Sequence, residues 1–325
     1  MEKKAFDVVA LGELLVDFTQ NGLSEQGNLL FEANPGGSPA NVLAMLRKLG
    51  KRCAFVGKVG ADSFGDMLAR TVEQAGLDTR GLMRDKEIPT TLAVVHTFPN
   101  GDRDFSFYRK PGADIMLRPE ELDEELLTGC RIFHFGTLSL TDEPCRAATE
   151  KAVKLAREAG ALISFDPNLR LPLWKTEDDA KAAIEWGLAR CDVLKIADNE
   201  LLFMTGESDF DKGAPILRGR FPNIRLFNVT AGAEGSYSDY GEERAFVPAC
   251  KRGGVIETTG AGDTFCASAL LHVLKYGLDG FDEAKLHELL TFANAAASLV
   301  TTKKGALCVM PTVDEVQAYI KESGR

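Results

Sequence analysis

Short apolar runs bounded by turn residues alternate along this chain with longer stretches of helical period. The runs at 7–12, 53–59, 131–135, 162–166, 193–196 and 225–229 are too short for helices and read as strands. Between them, 66–75, 144–159 and 180–189 repeat their apolar residues every three or four positions and read as helices. Buried strands alternating with helices predict an α/β fold, a mostly parallel central sheet flanked by helices on both faces. Ligands in such sheets bind beyond the carboxyl ends of the strands. Asp17, Gly36, Asp166 and Thr230 follow strand runs or sit close beyond them.

Two regions break the alternation. Residues 18–34 and 90–110 lack helical period and carry β-branched and aromatic side chains. Asn21-Gly22 and Pro99-Asn100-Gly101-Asp102 read there as hairpin turns, which predicts a small separate sheet. With no linker-like break, repeat or low-complexity tract, residues 1–325 are expected to form one domain.

Composition narrows the partners. The chain has 325 residues, 45% hydrophobic and 26% charged, enough to bury a large core. A net charge of −10 argues against nucleic-acid or anionic-membrane binding, both of which need basic patches. No apolar run reaches membrane-spanning length, and Met1-Glu2-Lys3-Lys4 leads into a strand rather than a signal sequence. The seven cysteines are scattered without a Cys-x-x-Cys pair, as expected of reduced thiols in the cytoplasm. The four histidines show no metal-ligand spacing.

Chemistry concentrates in two glycine-rich loops. Thr258-Thr259-Gly260-Ala261-Gly262-Asp263 opens into the apolar helical run 265–274. Glycines allow close backbone approach, and the first NH groups of a helix lack intrahelical partners, so the loop is an anion site. A carboxylate there repels phosphate but can take a proton from a hydroxyl held beside it. An anion hole edged by a carboxylate base suits phosphoryl transfer to an alcohol. The pentapeptide alone could equally be a strand-to-helix turn with an acidic first residue. Upstream, Pro35-Gly36-Gly37-Ser38-Pro39-Ala40-Asn41 leads into a second amphipathic helix, ended by Gly50.

This pair of loops, in this order, resembles the two signatures of the ribokinase-like sugar kinases, the phosphofructokinase-B group. The resemblance runs from Leu11-Gly12-Glu13 and Asp17 to Lys304-Gly305-Ala306. It implies a ribokinase-like fold whose small sheet is a lid over the sugar, often paired with the lid of a second subunit. It implies Asp263 as catalytic base, with Gly260, Ala261 and Gly262 as the anion hole. Asp17, Gly36, Gly37 and Asn41 would bind the sugar. Thr230-Ala231-Gly232-Ala233-Glu234-Gly235 matches a loop whose Thr230, Gly232 and Gly235 approach the ATP phosphates, and Asn294 would face the adenine.

The metal motif departs from the family pattern. Glu200 keeps the acidic position that reaches Mg²⁺ through water, but Ala197 stands where an Asn is common, and Asn199 lies two residues late. Glu257 replaces the Asp that helps hold a monovalent cation such as K⁺, with 302–306 as the other half of that site.

For the substrate, Phe107-Tyr108-Arg109 and Asp166-Pro167-Asn168-Leu169-Arg170 resemble bacterial fructokinases. Altered forms occur in 2-keto-3-deoxygluconate kinases, where arginines matching Arg109 and Arg170 clamp a carboxylate. Ala93 and Phe107 stand where those kinases carry tyrosines, which favours a neutral ketose, fructose first. A nucleoside kinase and a catalytically silent sugar-binding regulator stay open at this point; the intact Gly-Ala-Gly-Asp speaks against the regulator.

Overall fold

A computed structural model describes residues 4–97, 103–250 and 254–323. The first third runs β1 (Phe6–Leu11), β2 (Leu15–Leu23), β3 (Leu29–Gly36), α1 (Ser38–Lys48), β4 (Cys53–Gly60), α2 (Ser63–Gln74), β5 (Asp78–Asp85), β6 (Leu92–Thr97) and β7 (Arg103–Tyr108). Then come α3 (Glu124–Thr128), β8 (Cys130–Gly136), α4 (Cys145–Glu158), β9 (Leu162–Asp166), α5 (Glu177–Leu188), β10 (Val193–Ala197), α6 (Asp198–Thr205) and α7 (Phe210–Arg220). The chain finishes with β11 (Leu226–Thr230), β12 (Gly235–Tyr240), β13 (Glu243–Pro248), α8 (Ala261–Tyr276), α9 (Glu283–Val300) and α10 (Val313–Glu322).

Nine strands form one sheet in the order β13-β12-β11-β10-β9-β8-β1-β4-β5. Every pairing from β11 to β5 is parallel; the last two strands add an antiparallel edge hairpin. This is the α/β architecture, a mostly parallel sheet flanked by helices, that the alternation of strands and helices predicts. The helices divide between the faces: α1, α8 and α9 bury Leu43, Met45, Leu270 and Leu290 on one side. On the other, α4, α5 and α7 close over Phe133, Phe135, Phe165 and Phe227. Strand order reverses at β1, whose neighbours are β4 and β8, and the crevice at that reversal is where ligands enter such sheets.

Three strands escaped the hydrophobic pattern. β5 (DTRGLMRD) buries only Gly81 fully, and β12–β13 form the opposite edge, where polar residues on one face are tolerated.

A second sheet, β3-β2-β6-β7, stands apart, with β2–β3 and β6–β7 antiparallel and β2–β6 parallel. Its first turn differs from the expectation. Asn21-Gly22 lies within β2, where the register with β3 shifts between Gln20 and Leu23, and Gly22 takes φ 88°. The reversal falls instead at 24–28, where Ser24 NH donates to Asn28 O and Gly27 takes φ 81°. An extra residue at a bulge needs a permissive backbone as much as a turn does. The expected turn at 99–102 lies outside the described residues. Among the described residues no helix is long and apolar enough to cross a membrane, and no two cysteines form a disulfide.

Candidate active site

The two glycine loops converge at the carboxyl edge of the large sheet. Gly37, between β3 and α1, holds φ at 126°, and a Cβ there would lie 2.3 Å from the Glu13 carbonyl oxygen. Only glycine lets α1 start against the turn that follows β1. Gly260, at φ 81°, caps α8. Its loop is anchored by Glu257, whose Oε1 accepts the Thr259 hydroxyl at 2.7 Å and whose Oε2 accepts the Gly305 NH at 3.0 Å. A carboxylate oxygen has two lone pairs, so it can meet a monovalent cation as well as a hydrogen bond.

Between the loops lies a cavity of about 300 Å³. Glu13, Asp17, Asn41, Arg170, Lys195 and Asp263 line it, together with Gly37, Ser38, Phe107, Asn168, Gly260 and Gly262. Asp263 sits in the first turn of α8, 9% exposed. Its Oδ1 accepts the Ser38 hydroxyl at 2.6 Å and its Oδ2 accepts Asn41 Nδ2 at 2.8 Å. The other end of that amide, Asn41 Oδ1, is buried without a hydrogen-bond partner among the described residues. A buried orphan acceptor at a cavity wall is a place for a ligand hydroxyl to donate.

The acids of this cavity are perturbed. Burial pushes Asp17 up to about 7, with Arg170 opposing and Glu257 and Asp263 adding to the rise. A Cβ on Gly36 would meet Asp17 Oδ2 at 2.3 Å, so Gly36 serves by leaving the carboxylate room. Burial also pushes Glu13 up to about 7, against its backbone hydrogen bonds and the Arg109 charge, with Asp114 adding to the rise. Clustered carboxyls poised near neutrality belong to functional sites more often than to scaffolds.

Lys195, Glu13 and Ser38 also line the cavity, although motif and spacing assign them no role. Lys195 lies on β10 at 6% exposure and bonds Asp166 on β9 through Nζ–Oδ distances of 3.0 and 3.2 Å. A Cβ on Gly262 would stand 3.1 Å from Lys195 Nζ, so the ammonium lies beside the start of α8. Burial alone would lower its pKa; Asp166 and Glu200 more than reverse this, so Lys195 stays charged. A signal does exist: a lysine inside the strand run 193–196 must be paired when buried.

Other predicted residues fall elsewhere. Arg109 does not line this cavity, which corrects the expected pair of arginines facing the substrate. Its Nε donates to Asp114 Oδ2 at 2.8 Å, Nη1 to the Thr141 hydroxyl at 3.0 Å and Nη2 to Leu138 O at 2.8 Å. Of the two arginines, Arg170 lines the cavity.

Thr230, Gly232 and Gly235 lie one strand further along the same edge, beside Ala197 at the end of β10. Their turn is closed by Ala231 NH to Gly235 O. Asn294 departs from its expected direction. It accepts Ser236 Oγ at 2.8 Å and donates to Val247 O at 2.9 Å, tying α9 to the β12–β13 hairpin rather than lining the cavity.

Glu200, buried and pushed up chiefly by that burial, accepts Leu169 NH at 2.7 Å and Ala197 NH at 2.8 Å. Asn199 is exposed. Among the described residues no three His, Cys, Asp or Glu converge on a metal position. One carboxylate acting through water beside phosphate oxygens is a set Mg²⁺ accepts, because it keeps most of its waters.

The profile for "pfkB family carbohydrate kinase" matches residues 5–313. Probable fructokinase-4 of Arabidopsis thaliana is 42% identical over 323 residues, covering 97% of this chain and 96% of that protein. Fructokinase-2 of Solanum lycopersicum is 41% identical over 316 residues, covering 97% and 96%. Among solved structures, fructokinase with bound ATP from Xylella fastidiosa superposes with TM-score 0.88 at 29% identity, covering 98% and 99% of the two chains. Fructokinase of Vibrio cholerae O395 in a form with fructose, ADP and calcium ion gives 0.85 at 30%, covering 97% and 99%.

Proposed function

Because the chain belongs to the pfkB family of carbohydrate kinases, we propose that it is a fructokinase, transferring the γ-phosphate of ATP to a hydroxyl of fructose. The observation that carries this is one cavity holding a carboxylate at a helix N-terminus, Asp263, opposite sugar-binding groups on Asp17 and Asn41.

The sugar lies under the β2–β3–β6–β7 sheet. Asp17 accepts its hydroxyls, Asn41 Oδ1 takes another, and the primary hydroxyl points at Asp263. The transferring phosphoryl group meets the NH groups of Gly260, Ala261 and Gly262, with the Lys195 ammonium beside them. Asp263 removes the hydroxyl proton as the oxygen attacks, a role worth roughly 10²–10⁴ in rate, while the loop NH groups stabilise the charge that builds. Thr230, Gly232 and Gly235 form the nucleotide side. Glu200 would reach a phosphate-bound Mg²⁺ through water, Glu257 would hold K⁺ beside the anion hole, and the bound ions would supply neutralisation of phosphate charge.

Fructose is preferred over a sugar acid for two reasons. Arg109 is spent on Asp114, so the pair of arginines that would clamp a carboxylate is reduced to Arg170. Ala93 and Phe107 face each other across β6 and β7 without a hydroxyl. Residues 1–325 act as one kinase domain in the cytoplasm. Leu23, Leu29, Leu30 and Phe31, all exposed on the lid, are covered by a second copy in a homodimer.

ATP consumption against fructose, ribose, tagatose, 2-keto-3-deoxygluconate and adenosine tests the assignment. Fructose should give the highest kcat/KM; a preference for 2-keto-3-deoxygluconate or adenosine would overturn it.

A further inference from the structure

Ser38 is the first residue of α1, one position past the cap, which is Gly37 and has no side chain. Its hydroxyl donates to Asp263 Oδ1 at 2.6 Å, across 225 positions of sequence, and both residues are buried. The backbone NH of Ser38 donates to Glu13 Oε1 at 2.7 Å, which fixes the serine from behind. Asn41 Nδ2 holds the other oxygen of Asp263. We propose, on the footing that Asp263 is the base, that Ser38 is a positioning residue for it, steadied by Glu13.

The physical case rests on lone pairs. A carboxylate has about four acceptor directions, and the two protein donors take one on each oxygen. What remains free on Asp263 is thereby fixed in direction, toward the cavity where the sugar hydroxyl lies. A carboxylate held by one donor can rotate, and small misplacements of a reacting group cost rate steeply. The same arrangement makes α1 and α8 share the site: Ser38 and Asn41 come from one, Asp263 from the other. Motion of β2 or β3, whose ends flank Glu13 and Ser38, would therefore reach the base directly.

The experiment compares Ser38→Ala, Ser38→Thr, Asp263→Asn and the double variant Ser38→Ala/Asp263→Asn in steady-state kinetics, each with a thermal melt. Ser38→Ala should lose on the order of tenfold in kcat, the worth of one hydrogen bond to a charged group, with sugar KM within about twofold because the hydroxyl faces the base rather than the sugar. Ser38→Thr keeps the hydroxyl and should restore most of that loss. In the Asp263→Asn background, Ser38→Ala should add nothing, because its effect passes through the carboxylate.

If Ser38→Ala keeps native kcat while Asp263→Asn is inactive, the base stands and the positioning role falls. The role also falls if the Ser38→Ala loss persists undiminished in the Asp263→Asn background, or if Ser38→Thr fails to restore turnover while melting as the native protein does. Unchanged turnover in Asp263→Asn would instead sink the assignment of the base itself.

Discussion

Replacing Gly260 by alanine tests the anion hole through its backbone. Gly260 sits at φ 81° and ψ −3°, the left-handed region, as the cap of α8. A non-glycine residue there costs about 1–2 kcal/mol. The added Cβ would also lie 2.6 Å from the Ala306 Cβ and 3.3 Å from its Cα. Carbon atoms rest at about 3.5–4.0 Å, so the two loops must part by roughly 1 Å. Ala306 cannot yield by rotating, because a methyl has nowhere to swing, and the adjacent Gly305 NH is held by Glu257. Forced overpacking of this kind costs about 1–3 kcal/mol.

The expected total is about 2–5 kcal/mol, within what a folded chain can lose, and a fall in Tm of roughly 3–7 °C for a chain of this length. Because the loops move apart where NH groups should meet phosphate, kcat should also fall by roughly 10²–10³, the usual loss for one such donor.

Gly160 supplies the control. It has φ 79° with nothing within 4 Å of the added Cβ, so Gly160→Ala carries the left-handed cost alone. Thermal denaturation and steady-state kinetics on both variants separate the terms. The reasoning is refuted if Gly260→Ala melts no lower than Gly160→Ala, or keeps kcat within threefold of the native enzyme.

Two further outcomes follow from the charged groups of the site. Burial holds the Asp17 carboxyl up at about 7, and sugar hydroxyls donate best to its ionised form. As pH falls through 7 the group protonates, so KM for fructose should rise about tenfold per unit below that value and level off above it. Asp17→Asn should abolish the dependence, and a native KM flat from pH 6 to 8 would contradict the assignment. Arg109 and Asp114, with side chains 3% and 1% exposed, form a buried pair. Arg109→Met should therefore cost about 3–5 kcal/mol of stability by stranding a carboxylate, with fructose KM changed less than threefold; a tenfold KM rise at native Tm would return Arg109 to the substrate.

The parts of this site that sequence could reveal were those where local chemistry is forced. Glycines at 37 and 260 are required by positive φ and close neighbours, so the loops that carry them stand out in the bare string of residues. Asp263 announces itself because an acid beside an anion hole needs a reason. Arg109 misled because its fate depends on Asp114, five residues on, and on Thr141 and Leu138 from another segment. No spacing rule says whether an arginine will face a ligand or a buried aspartate. Ser38 and Asp263, 225 positions apart, meet only when α1 packs against α8, so their bond could not be read from either segment.

Lys195 lies between these cases. A charge within an apolar strand demands a buried partner, and that demand is legible at once. The partner's identity, Asp166, becomes visible only when β9 and β10 lie side by side. A buried ion pair contributes little net stability to a fold. Its location beside Gly262, at the mouth of the anion hole, therefore argues that Lys195 is there for the phosphates rather than for the sheet.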